Sequence, residues 1–158
     1  MALATRTVSI NAAFLQEIKD DHHELRQLMH HTAAMLSRPA WMKIEFDRLV
    51  DLFAKLRDQV AMHFSLEEAF GYFEDAISVA PHLSRRAESL RAQHFQLYSD
   101  LSRLAERAES FLYHETAADE VACLAEDYQR FTASFHDHES RESELITEAF
   151  HDDLGAGD

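Results

Sequence analysis

"MHFSLEEAF", residues 62–70, sets His63 four places before Glu67 inside an otherwise apolar rhythm. Four residues make about one turn of an α-helix, so both side chains leave the same face. Upstream, Leu49, Phe53, Leu56 and Val60 carry that face on in steps of three and four, the spacing of a helix packed against neighbours. An imidazole and a carboxylate therefore interrupt a seam that is elsewhere hydrocarbon.

Three further stripes share the pattern. One reads Leu15, Ile18, His22, Leu25, Met29 and Leu36; the next, Leu83, Ala87, Leu90, His94, Leu97, Leu101 and Leu104. The last reads Leu124, Tyr128, Phe131, Phe135, His138, Glu142 and Leu145. Breaks fall at Pro39, which disfavours helix at Arg38, at Pro81, a good first residue of a new helix, and at Thr116, a candidate N-cap followed by Asp119. They predict helices over 11–36, 43–77, 82–112 and 117–151, with tails at 1–10 and 152–158. The class expected is all-α, an antiparallel up-down-up-down four-helix bundle in a single domain over 11–151.

Composition agrees. The 158 residues are 46% hydrophobic and include three Gly and two Pro, too little turn chemistry for a sheet protein. A formal charge of −14 opposes nucleic acid and anionic membrane surfaces as partners, and is read as a solubilising surface. No apolar run approaches spanning length, and the first residues lack a signal-peptide pattern. The single Cys123 allows no internal disulfide, which suits a cytoplasmic protein.

In each stripe the polar break falls at one place. Residues equidistant from an antiparallel turn share a height. Glu67 and His94 are equidistant from the Pro81 break, His94 and His138 from Thr116, and His22 and His63 from a point about one turn beyond Pro39. Six groups in one layer follow: His22, His63, Glu67, His94, His138 and Glu142. Burying each unpaired would cost several kcal/mol. Hydrogen bonds within the layer could lock helix register without a metal, but six groups exceed what register needs. Imidazole and carboxylate without thiolate suit iron, manganese or zinc, and two carboxylates could bridge a pair of such ions. The stripes select His22 over His23, His138 over His136, Glu67 over Glu68 and Glu142 over Glu144. Glu68 and Glu144 are expected in solvent, and His30, His31, His82, His114 and His151 at the surface.

"DHHELRQLM", "HFSLEEAF", "LRAQHFQLY" and "HESRESELI" together resemble the hemerythrin-like, or HHE cation-binding, family across residues 14 to 149. The resemblance implies a non-haem di-iron centre, His22 and His63 holding one iron, His94 and His138 the other, and Glu67 and Glu142 bridging. Oxygen carriers of the family place a second histidine four residues after the first on helix three, where this chain has Tyr98. Tyr98 is then either a phenolate ligand, or a hydrogen-bonding partner of the site, or a seam-edge aromatic beside an open metal position. On the fourth helix the carriers have an aspartate at the fifth position where this chain has a glutamate at the fourth. These departures resemble the bacterial and regulatory branches and imply binding or sensing of a small diatomic ligand or peroxide (O2, peroxide or nitric oxide). The alternatives are a catalase-like peroxide-handling enzyme and a metal-stabilised storage or interaction module without catalysis.

Overall fold

The computed structural model describes residues 12–38, 44–69, 77–78 and 80–155. Its long helices are α1 (Ala12–Leu36), α2 (Phe46–Ala69), α3 (Ser84–Ser110) and α4 (Ala118–Gly155). No strand occurs among the described residues, and the chain is all-α. Helix α1 ends where the pattern predicts, and α4 runs four residues past the expected end at 151. The Pro39 break, Phe70 with the expected continuation of α2 over 70–76, and both terminal tails except 152–155 lie outside the described residues.

Pro81 opens a short 3-10 turn, Pro81–Leu83, that leads directly into α3. This is the use expected of a residue with fixed φ and no N–H. The start of α4 differs from expectation. The Thr116 hydroxyl turns back to the carbonyls of Phe111 and His114, both at 3.4 Å. Glu120 instead accepts the backbone N–H of Ala117 at 2.8 Å, one half of a capping box shifted by one residue. That bond holds the Glu120 carboxyl below its usual pKa.

Helix directions follow from the pairs that meet. Along α3 and α4, Arg86 pairs with Glu148, Gln93 meets His138, and Arg107 pairs with Asp127. Numbers rise on one helix as they fall on the other. Between α1 and α4, Tyr128 donates to the Met29 carbonyl at 2.8 Å and His22 approaches Glu139, again in opposite order. Helices α2 and α4 run together, since Phe53 packs edge-on to Tyr128 and His63 lies against Glu139. This is the order an up-down-up-down bundle requires.

Among the described residues the core is in two parts. A large cluster holds Leu25, Leu49, Phe53, Leu56, Leu101, Leu124, Tyr128 and Phe135, among others. A small one holds Ala80, Leu83, Ala87, Leu90, Leu145 and Ala149. On α3 and on α4 the donor residues fall between them: His94 between Leu90 and Leu97, His138 and Glu142 between Phe135 and Leu145. A polar layer thus divides the hydrocarbon.

Candidate metal centre

Helix α2 supplies His63 and Glu67 one turn apart, with His63 Nε2 2.8 Å from Glu67 Oε1. Helix α4 repeats the device, with His138 Nε2 2.7 Å from Glu142 Oε1. Helix α3 brings His94, whose Nε2 lies 3.0 Å from Glu142 Oε1 and 3.2 Å from Glu67 Oε2. Helix α1 brings His22. His63, Glu67, His94, His138 and Glu142 are all buried, whereas His22 is partly open to solvent.

Two sets of donor atoms converge, each within 4.8 Å: Glu67, His94, His138 and Glu142 in one, and His22, His63 and Glu139 in the other. Glu67 touches His63 of the outer set and His94 of the inner set and so joins them. Glu142 sits between His94 and His138. The corresponding place between His22 and His63 is taken by Glu139, 3.7 Å from His22 Nδ1 and 2.9 Å from His63 Nε2.

Sequence reasoning missed Glu139. It stands next to His138 rather than on the stripe, and its signal was a carboxylate at the height of the layer on a flank of α4. Glu68, expected in solvent, reaches His94 Nδ1 at 3.0 Å. Gln93 also went unremarked, and its Oε1 accepts from His138 Nδ1 at 2.8 Å. His23 pairs with Gln27 on the surface at 3.2 Å. His30, His31, His82, His114, His136 and His151 are exposed.

Tyr98 remains 37% exposed. That exposure favours the seam-edge role over the ligand role. Tyr98→Phe is accordingly expected to leave the visible spectrum of the iron-loaded protein unchanged; loss of a band in the variant would restore Tyr98 to the ligand set.

The donors fit a cation better than they fit each other. Glu67 Oε2 and His138 Nε2 are fully buried and neither has a hydrogen-bond partner. His138 Nε2 is nevertheless close to a carboxylate oxygen, at a distance where alignment would make a hydrogen bond. Buried polar atoms left so are costly. Close contact without direction is what results when ligand atoms aim at a common point between them. Aromatic walls complete the layer: Phe64 stacks on His94 at 4.0 Å and 7°, and Phe135 lies 6.0 Å from His63.

Charge in a chain stripped of metal is unevenly shared. Burial opposes a charge on His94, yet the close carboxylates of Glu142, Glu67 and Glu68 outweigh it and hold its pKa up at about 10. Burial likewise opposes charge on Glu67, but His63 and His94 pull its carboxyl down to about 2. Glu142 goes the other way, raised by burial and by the nearby Glu67 and Glu139 charges against the pull of its histidines. Burial lowers His22, with the Arg26 charge contributing.

The family model for the hemerythrin HHE cation-binding domain matches residues 13–150. No curated protein and no solved structure matches the chain.

Proposed function

Because the chain belongs to the hemerythrin HHE cation-binding family, we propose that its centre holds two first-row ions, iron before manganese or zinc, and uses them to bind or sense O2, peroxide or nitric oxide. The observation carrying this reading is the pair of donor sets joined by Glu67, with buried ligand atoms that satisfy nothing else. His94, His138, Glu142 and Glu67 would hold the inner ion, and His22, His63 and Glu139 the outer. Three carboxylates would offset three of the four charges of two divalent ions. Ferrous iron held by these residues would supply electrons and Lewis acidity to such a ligand.

The protein's own contribution is access and exclusion. His22 and Glu139, with side chains 28% and 17% exposed, mark the side from which a small molecule would arrive. Phe64, stacked on His94, would keep water from the inner set, and Phe135, against His63, would do so for the buried side of the outer set. No helix among the described residues is long and apolar enough to cross a membrane, and the single Cys123 supports work in a reducing cytoplasm.

Protein purified without added metal is expected to carry two irons per chain, and Glu139→Gln to carry close to one. Ferrous protein mixed anaerobically with O2, peroxide or nitric oxide should then change its visible spectrum within the mixing experiment. Two tightly held zinc ions, with no spectral response from the iron-loaded form, would leave a metal-stabilised module instead. A catalase-like enzyme would release O2 from peroxide faster than free iron does, and lose that rate in Glu67→Ala.

A further inference from the structure

We propose that Glu68 is a positioning residue for His94, fixing which ring nitrogen faces the inner cation, and that Gln93 does the same for His138. This rests on the reading of both histidines as ligands. A ligating imidazole gives one nitrogen to the metal and a hydrogen bond from the other, and that outer bond sets tautomer and ring angle. His94 Nδ1 meets Glu68 Oε1 at 3.0 Å, and His138 Nδ1 meets Gln93 Oε1 at 2.8 Å. In both rings Nε2 is left to face the donor set.

His94 shows why the outer bond is needed. The Phe64 stack fixes the plane of its ring. A half-turn about Cβ–Cγ preserves that plane while carrying Nε2 away from Glu67 and Glu142. Stacking cannot oppose this flip, but the Glu68 bond does, because the flip takes Nδ1 from it. Glu67 and Glu68 thus grip the two nitrogens of one imidazole from consecutive positions of α2, the inner nitrogen at 3.2 Å and the outer at 3.0 Å.

The same device recurs around the bundle. Glu68 follows Glu67 on α2 and reaches α3; Gln93 precedes His94 on α3 and reaches α4. The two outer partners differ in charge. A carboxylate makes His94 the more electron-rich donor, whereas an amide leaves His138 unchanged in charge.

The test uses full-length chain loaded with cobalt(II), following the visible cobalt spectrum and the release of metal to a chelator. The Glu68 side chain is 43% exposed, so its variants are expected to keep the wild-type helical content by circular dichroism. Glu68→Ala should speed release of one of the two ions by roughly 10- to 100-fold and leave the other at its original rate. Glu68→Gln keeps an acceptor and should restore slow release, while the lost charge shifts the cobalt bands. Gln93→Ala should accelerate release of the same ion. Wild-type release and an unchanged spectrum in Glu68→Ala would overturn the inference, as would Glu68→Gln releasing as fast as Glu68→Ala. A wild-type chain that takes up no cobalt would instead sink the ligand assignment, and this inference with it.

Discussion

Stripping the metal from the purified protein is expected to lower its melting temperature by roughly 8 to 16 °C. A ligand held at a thousand times its dissociation constant contributes about 4 kcal/mol, and a domain of this size shifts by about 2–4 °C per kcal/mol. The loss should not spread evenly. The small apolar cluster around Leu83, Leu90 and Leu145 lies across the donor layer from the cluster around Leu56, Leu101 and Leu124. Without a cation to join them, the layer keeps a buried carboxylate oxygen and a buried imidazole nitrogen unsatisfied. Backbone amides of residues 83–90 and 143–149 should therefore exchange with solvent faster after chelation, while those around Leu56, Leu101 and Leu124 remain protected. Uniform acceleration along α3 and α4, or an unchanged melting curve, would contradict this division.

The second large effect is on pH. His94 in the stripped chain is held protonated, with its pKa raised from 6.5 to about 10. A metal can bind its nitrogen after that proton leaves, so loading at neutral pH should release about one proton per chain from this residue. Apparent affinity should rise close to tenfold per pH unit from neutrality until about pH 10, then flatten. Titration of the stripped protein with cobalt(II) in weak buffer with an indicator dye measures both quantities; affinity that stays flat between neutrality and pH 9 would contradict them. Stability without metal has the opposite dependence. A raised histidine pKa stabilises fully below 6.5 and its contribution drains as pH rises through about 10. The depressed Glu67 stabilises above 4.5 and loses its effect as pH falls toward about 2. The stripped chain should thus weaken in alkali, whereas the loaded chain loses its metal in acid.

Most of the fold was legible because four apolar stripes fix which faces are buried, and Pro81 opens the turn that leads into α3. The polar breaks were legible for the same reason: a histidine or glutamate on a hydrocarbon face has to be accounted for. Glu139, Glu68 and Gln93 escaped this logic. Each stands next to a stripe donor, about 100° around its helix, and stripes count residues that face the bundle axis. A helix in a bundle also has two flanks, each turned to a neighbour. Glu139 reaches from α4 toward α1, Glu68 from α2 to α3, and Gln93 from α3 to α4. Periodicity names a direction and not a reach, so side chains that cross a flank needed coordinates. The shifted cap of α4 was missed because Thr116 and Glu120 both suit a helix start, and the choice between them depends on loop geometry that spacing does not encode.

The unequal cover of the two donor sets carries a last consequence. An ion in the outer set would border solvent through His22 and Glu139, while the four residues of the inner set are buried and Phe64 stacks on one of them. Such a centre would fill from the back and empty from the front. A brief shortage would remove one ion and spare its neighbour, so the singly loaded form, rather than the empty one, would be what a starved cell meets first.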